Sequence, residues 1–99
     1  MLTYLEGKVV IVVGAGDEVH RGVAVALAEA GADVAIAGLA PDLAAEAALH
    51  SIANEVWAMG RRSLVATFND DASFETARER VIAELGRSDF VIRCDDPKS

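Results

Sequence analysis

The sequence feature that most constrains the fold is the apolar run Val9–Val13, which ends in the turn Gly14-Ala15-Gly16. A continuous apolar run of this length is typical of a strand buried on both faces, as in parallel sheets. Residues 19–30 then show helical spacing, and Gly31 follows as a stop signal. A strand that ends in a tight glycine turn and restarts as a helix points backbone N–H groups at an anion. The sequence therefore predicts an α/β fold whose first crossover has the shape of an anion-binding turn.

Strand-like and helix-like segments alternate along the chain, which is the pattern of a parallel sheet with crossover helices. Strands are predicted at 8–13, 33–37, 63–67 and 90–93, and helices at 19–30, from Pro41-Asp42 to Gly60, and from about Ser73 to Gly86. Right-handed crossovers, with a chain reversal at the first strand, predict the strand order 3-2-1-4. We therefore expect one α/β domain over residues 1–99, a Rossmann-like three-layer fold that is truncated after its fourth strand.

Each predicted helix carries an apolar stripe, and the second and third also have polar residues that can cap their starts. The stripes are Val23, Leu27 and Ala30 in the first helix; Ala45, Leu49, Ile52, Val56 and Met59 in the second; and Phe74, Ala77, Val81 and Leu85 in the third. Pro41 suits the first turn of the second helix, and Asp42 is expected to cap it. Asp70, Asp71 or Ser73 can cap the third.

Composition excludes several classes of function. The formal net charge is −7, and a nucleic acid or an anionic membrane requires basic density that this chain lacks. The single cysteine, Cys94, provides neither a disulfide framework nor metal-ligand spacing. No apolar run approaches the ~20 residues that span a bilayer, and residues 1–8 lack the features of a signal peptide. We expect a cytoplasmic protein without a metal site.

Three segments together resemble the short-chain dehydrogenase/reductase family. Residues 5–12 look like the family's opening, residues 21–38 like its first helix and second strand, and residues 85–92 like the approach to its fourth strand. The resemblance covers nearly the whole chain and corresponds to the N-terminal half of a family member. It implies a fold that binds NAD(P) and, in full-length relatives, hydride transfer between that cofactor and an alcohol or carbonyl substrate.

The cofactor loop departs from the family pattern Thr-Gly-x-x-x-Gly-x-Gly, which maps onto Val13, Gly14, Glu18 and His20. Only Gly14 matches. A unit negative charge about 4 Å from a phosphate costs about 4 kcal/mol at an effective dielectric of 20, so Glu18 opposes a diphosphate. Two interpretations stay open. The turn is kept for packing, or a phosphate-binding turn survives that uses Gly14, Gly16 and Arg21, with weak or absent NAD(P) binding.

The other family motifs do not match either. Gly38-Leu39 stands where an acid or an arginine would select NAD or NADP, and Phe68-Asn69 stands where an Asp would contact adenine. The Asn-Asn-Ala-Gly motif after the fourth strand maps onto Arg93-Cys94-Asp95-Asp96. The catalytic Ser and Tyr-x-x-x-Lys segment lie beyond the residues of this chain. Tyr4 and Lys8 have that spacing by coincidence, because they precede the first strand. No catalytic residue is assigned.

Four other residues have side chains that could take part in chemistry or in a contact with a partner. His20, beside Asp17 and Glu18, forms either a metal or proton-transfer cluster or a solvent-exposed first helical turn, and we expect the latter. His50 is expected to be exposed or half-buried on the second helix. Trp57 is expected to pack or to face a partner, and Cys94 lacks a convincing base.

The sequence thus predicts a degenerate short-chain dehydrogenase/reductase-like protein without autonomous oxidoreductase activity, whose role is structural or protein-binding. The alternatives are an NAD(P)-binding module and one part of a split NAD(P)-dependent oxidoreductase. The edge of the fourth strand, residues 90–93, is expected to bind a second copy in a homodimer or a complementing chain.

Overall fold

The computed structural model of the chain describes residues 5–40, 42–70 and 73–94. Its elements, in chain order, are β1 (Val9–Val13), α1 (Glu18–Glu29), β2 (Asp33–Gly38), α2 (Leu43–Ala58), β3 (Ser63–Thr67), α3 (Phe74–Leu85) and β4 (Phe90–Arg93). All seven predicted elements are present. The boundaries differ by a few residues at most: β1 begins one residue later than expected and β2 includes Gly38.

The four strands form one parallel sheet in the order β3-β2-β1-β4, which confirms the predicted topology. At the centre of the sheet, Val12 lies beside Ile36 on one side and Ile92 on the other. Every residue of β1 is buried, because strands flank it on both sides and helices cover both faces. That position explains why the apolar run in β1 is continuous.

Two hydrophobic clusters lie between the sheet and the helix layers on its two faces. On one face, Val10, Val12 and residues of β2 and β3 pack against α1 and α2. On the other face, the alternate residues Val9, Ile11 and Val13 pack against α3. The predicted stripes of α2 and α3 lie against the sheet, with Leu49, Ile52, Ala53 and Val56 buried on α2 and Ala77, Val81 and Leu85 buried on α3.

The predicted inner face of α1 is wrong at its centre. The buried residues are His20, Ala24 and Ala28, whereas Val23 and Leu27 lie at the margin of the core and are only partly buried. Alanine at two of the three central positions lets the helix approach the sheet closely. The side of α1 that packs against the sheet is therefore the side with small side chains, and not the side with the larger apolar residues.

Aspartates cap or brace the starts of α2 and α3, as the sequence predicted. Asp42 Oδ1 accepts the Ala45 N–H at 2.8 Å, and Asp70 Oδ1 accepts the Ser73 N–H at 2.9 Å. The Ser73 hydroxyl accepts the N–H groups of Asn69 and Asp70, so it orders the loop rather than capping α3 with its side chain. The predicted contributions of Pro41 and Asp71 fall outside the described residues.

Asp89 fastens the start of β4 to the start of β1. Its Oδ2 accepts the Val9 N–H at 2.8 Å, and its own N–H donates to the Val9 carbonyl at 2.8 Å. The Arg87 guanidinium donates to Asp89 Oδ1 at 2.7 and 3.1 Å. The hydrogen bonds from Arg87, and then that from Val9, hold the pKa of the Asp89 carboxyl below its usual value. Stability therefore depends on pH through this residue.

The expected pH dependence follows from the direction of that pKa shift. Because the folded-state pKa lies below the value of about 3.9 for a free Asp, the ionised carboxylate stabilises the fold at neutral pH. That stabilisation is lost as pH falls below about 4 and through the folded-state pKa. We expect Asp89→Asn to lower the urea midpoint at pH 7, with an effect that shrinks steadily under acid conditions.

The matched variant is Arg87→Gln, which removes the main cause of the shift and leaves the carboxylate in place. It should raise the pKa of Asp89 and flatten the acid branch of the stability profile, measured by urea denaturation at a series of pH values. An Asp89→Asn effect of the same size at every pH would contradict this account.

Candidate functional site at the first strand–helix turn

The turn after β1 lies beside the carboxyl end of β2. The Gly14 N–H donates to the Ala37 carbonyl at 3.0 Å, so the two segments are held together by their backbones. A Cβ on Gly38 would lie 2.4 Å from the Gly14 carbonyl oxygen, which is closer than real Cβ atoms come. No side chain fits at position 38. This close backbone approach accounts for the glycine at position 38, whereas position 39, where the Leu39 side chain is 51% exposed, is not restricted in this way.

His20 is the residue that the sequence analysis placed wrongly. Its side chain is not exposed on the first turn of α1 but completely buried, with 0% of its surface accessible. Nδ1 accepts the Gly16 N–H at 3.0 Å, and Nε2 lies 2.9 Å from the Val12 carbonyl oxygen. The ring reaches this position because Gly14 has no side chain: a Cβ there would lie 2.6 Å from His20 Cγ.

Two backbone donors near the start of α1 are bonded within the protein. The Gly16 N–H donates to His20, and the His20 N–H donates to Asp17 Oδ1 at 3.0 Å, where Asp17 is the N-cap of α1. The Glu18 side chain, 92% exposed, adds a second carboxylate at this helix end. Acidic groups here complement the helix dipole in the manner that a bound anion otherwise would.

Arg21 is directed at α2 rather than at the turn. Its Nη1 pairs with Glu55 Oε1, and its Nε lies 3.9 Å from Glu18 Oε1. The structure therefore brings Gly14 and Gly16 together and gives Arg21 a carboxylate partner on another helix. Their assignment as cofactor-binding residues stays a prediction.

A small cavity lies at the carboxyl ends of β2 and β3. It has a volume of about 190 Å³ and is lined by Leu39, Ala40, Phe68 and Asn69. Phe68 is buried and packs edge-to-face on Phe74, with ring centroids 5.4 Å apart. The cavity is smaller than the range of about 300–1,000 Å³ in which ligand pockets usually fall. By itself it offers an apolar surface for part of a ligand.

A larger cavity, of about 510 Å³, lies outside β3 between α2 and α3. Trp57, 71% exposed, lines it together with His50 and Arg80. Arg80 Nη1 donates to the Val65 carbonyl at 3.0 Å and so covers part of the β3 edge. His50 is exposed as expected, with Nε2 3.9 Å from Glu46.

Within residues 5–40, 42–70 and 73–94, no group of three or more His, Cys, Asp or Glu side chains is placed to hold a metal ion. None of the helices there is long and apolar enough to cross a bilayer. The metal or proton-transfer cluster of His20 with Asp17 and Glu18, which the sequence left as an alternative, does not form, because the imidazole points into the protein. Tyr4, Asp95 and Asp96 lie outside the described ranges.

Comparison with known proteins identifies the fold's relatives. Over 90 residues the chain is 36% identical to a 2-dehydro-3-deoxy-D-gluconate 5-dehydrogenase of Pseudoalteromonas atlantica, an alignment that covers 89% of this chain and 34% of that protein. A short-chain type dehydrogenase/reductase from Mycobacterium marinum superimposes with a TM-score of 0.75 at 29% identity, over 88% of this chain and 34% of that one. The chain is related to the short-chain dehydrogenases/reductases.

Two further structures of this kind contain a nicotinamide cofactor. A carveol dehydrogenase from Mycobacterium avium in complex with NAD has a TM-score of 0.76 at 28% identity, over 88% of this chain and 35% of that one. A blue fluorescent protein from a metagenomic library in complex with NADPH has a TM-score of 0.78, also at 28% identity, with the same two coverages. No protein-family profile matches the chain.

The chain spans about a third of the length of the relatives it matches, in agreement with the N-terminal piece of a family member that the sequence predicted. In the sequence mapping onto the short-chain dehydrogenase/reductase loop, Glu18 and His20 stand at the positions of the second and third glycines. Sequence comparison with the family pattern showed both departures. It did not show that His20 points into the protein. The one sequence signal for that was Gly14, six residues earlier, which leaves space for the ring.

Proposed function

We propose that this short-chain dehydrogenase/reductase relative is a protein-binding α/β module without oxidoreductase activity of its own, and that β4 is its binding surface. The observation that carries the proposal is the exposure of β4. Phe90 is 50% exposed and Val91 40% exposed, although both belong to a parallel strand. Among the described elements, only β1 has its backbone beside β4.

The exposed surface of β4 favours a strand-plus-helix unit of a second polypeptide as its occupant. Ile92 packs partly against the core beneath α1 and α2, and Arg93 lies 5.7 Å from the centre of the Phe74 ring, but no helix backbone covers either face of the strand. A strand alone would pair with the backbone N–H and C=O groups at the edge of β4 and would leave the faces of β4 without a covering helix. Fully burying a Phe or Val side chain contributes about 1.5–3 kcal/mol, so a helix on either face adds substantially.

A second copy of this chain is a poorer occupant. Pairing β4 with another β4 covers the edge and supplies no helix for the faces. Each copy also carries a formal net charge of −7, so self-association works against electrostatic repulsion. Among the edges of the sheet, β3 is partly closed by Arg80, whereas Phe90 and Val91 leave β4 apolar. About two thirds of the Pseudoalteromonas dehydrogenase lies outside the matched region, and that part is a suitable test partner.

The proposal predicts a complex that depends on β4. The chain is mixed with the part of the Pseudoalteromonas dehydrogenase that lies outside the aligned 90 residues, and the mass of the mixture is measured by light scattering. We expect a one-to-one complex, and we expect Phe90→Asp to weaken it at least about tenfold, because a buried unpaired carboxylate is costly. Leu43→Asp is the matched control, since Leu43 is an exposed apolar residue on α2.

The outcome of this experiment separates the possibilities. A stable homodimer that Phe90→Asp disrupts would replace the complementing unit by a second copy. A monomer that forms no complex, or a complex that tolerates Phe90→Asp, would contradict a binding role for β4. Hydride transfer to NAD⁺ or NADP⁺ by the purified chain alone, with secondary alcohols as substrates, would contradict the absence of autonomous activity.

NAD(P) binding is the second candidate function. It is favoured by the NAD and NADPH complexes of two structural relatives, by the retention of the family glycine at Gly14, and by a further glycine, Gly16, in the same turn. Titration with NADH and NADPH at low salt, followed by amide NMR shifts, tests it directly. We expect no shifts in residues 14–22 at millimolar cofactor. Shifts confined to that segment would establish a nucleotide site and favour the split oxidoreductase.

A further inference from the structure

The buried imidazole of His20 occupies the inside of the turn that the family uses to approach a diphosphate. It accepts the Gly16 N–H at 3.0 Å and lies 2.9 Å from the Val12 carbonyl oxygen. We propose that this ring is an intramolecular ligand that holds the turn closed and keeps the Gly16 N–H from external anions. His20 is thus a positioning residue that acts through Gly16. The inference deepens the proposed lack of nucleotide binding and is independent of β4.

The two hydrogen bonds determine which ring nitrogen of His20 carries the proton. A backbone N–H can only donate, so Nδ1 must accept and carries no proton. The Val12 carbonyl can only accept, so Nε2 must carry the proton. Both ring nitrogens are therefore satisfied by the backbone, and the ring is buried without leaving a polar atom unpaired. This complementarity makes the closed turn a specific arrangement rather than a loose filling of space.

Gly14 supplies an independent observation. Its backbone is not in the left-handed region, in contrast to Gly16 at φ +79°, so backbone conformation does not account for a glycine at position 14. The three atoms that a Cβ on Gly14 would meet first all belong to the His20 side chain, at 2.6 to 3.0 Å. Gly14 is therefore required by the ring, whether or not a nucleotide ever approaches. The two residues should be energetically coupled.

A double-mutant cycle measures that coupling. Gly14→Ala in the wild-type chain should reduce the folding equilibrium constant, measured by urea denaturation, at least about tenfold more than the same change in a His20→Gly background. Gly22→Ala is the matched control. A Cβ there meets nothing within 4 Å, so its effect should be equal in both backgrounds. Equal effects of Gly14→Ala in the two backgrounds would overturn the proposal.

A second test measures closure itself with inorganic phosphate. Glu18→Gln and the double variant Glu18→Gln/His20→Gly are compared, so that both lack the exposed Glu18 carboxylate, both retain the Asp17 N-cap, and they differ only in the ring. We expect phosphate to shift the Gly16 amide resonance only in the double variant. A shift with His20 present, or no shift in either variant, would contradict closure by the ring.

The wild-type chain provides a test that does not depend on any variant folding. The ¹⁵N spectrum of the His20 ring should show the neutral form protonated at Nε2, with Nδ1 accepting a hydrogen bond. A ring protonated at Nδ1 would overturn the assignment. These measurements use neither a dinucleotide nor a partner protein, so their failure is distinguishable from failure of the proposed function.

Discussion

Gly38→Ala is expected to destabilise the protein by about 3 kcal/mol. The added Cβ would lie 2.4 Å from the Gly14 carbonyl oxygen. That oxygen belongs to a backbone that is tied to β2 by the bond from Gly14 N–H to the Ala37 carbonyl. Neither segment can rotate away as a flexible side chain could, so the sheet and the turn must separate. A domain of this size has only about 5–15 kcal/mol of stability, and the loss is correspondingly large.

The measurement is urea denaturation of Gly38→Ala beside Gly22→Ala. Gly22 lies in α1, and a Cβ there meets nothing within 4 Å. Replacing glycine with alanine inside a helix gains about 0.5–1 kcal/mol, so the control should become more stable. A Gly38→Ala protein within about 0.5 kcal/mol of the wild type, which is the spread of ordinary surface substitutions, would show that the turn does not press on β2 as described.

Ile52→Ala is expected to cost about 3 kcal/mol, within the range of about 2–5 kcal/mol for such truncations. Ile52 is 0% exposed and belongs to the cluster that joins α2 to the sheet. The cost combines the lost transfer of apolar surface from water with the cavity left between helix and sheet. The same cluster includes Val12 and Ile36, whose backbones are held in paired strands at the centre of the sheet, so they can fill that cavity only in part.

Ile82→Ala is the matched control, because it makes the same chemical change on a helix surface. Ile82 is 36% exposed on α3, so its truncation should cost clearly less, about 1 kcal/mol. Denaturation curves with equal slopes would assign the difference between the two variants to native-state packing. Equal losses for Ile52→Ala and Ile82→Ala would contradict the placement of α2 on the sheet.

The turn after β1 and the exposed strand β4 bear on function in different ways: the turn argues against nucleotide binding, and β4 argues for a protein partner. The turn places its Gly16 N–H against His20 and its carboxylates toward solvent, an arrangement unsuited to a diphosphate. β4 presents Phe90 and Val91 where a sheet normally continues or is covered. Together they support the proposal that this relative of the dehydrogenases works through a protein partner.

Most of the fold was predictable from local sequence pattern. The continuous run Val9–Val13 indicated a central parallel strand, and glycines marked helix ends, because strand burial and helix termination are properties of a few adjacent residues. The strand order followed from the handedness of crossovers, which depends on chain connectivity alone. The departure of Glu18 and His20 from the glycine pattern was likewise visible in the sequence.

The tertiary structure alone decided how those residues are used. The sequence determined that position 20 holds a histidine, but only the approach of α1 to β1 buries its ring over Gly14. The partnership of Arg21 with Glu55 and the contact of Gly38 with Gly14 also join residues that are distant along the chain. Such contacts depend on how elements pack, and no local period encodes them. The sequence therefore determined the architecture, and packing determined that the turn is closed.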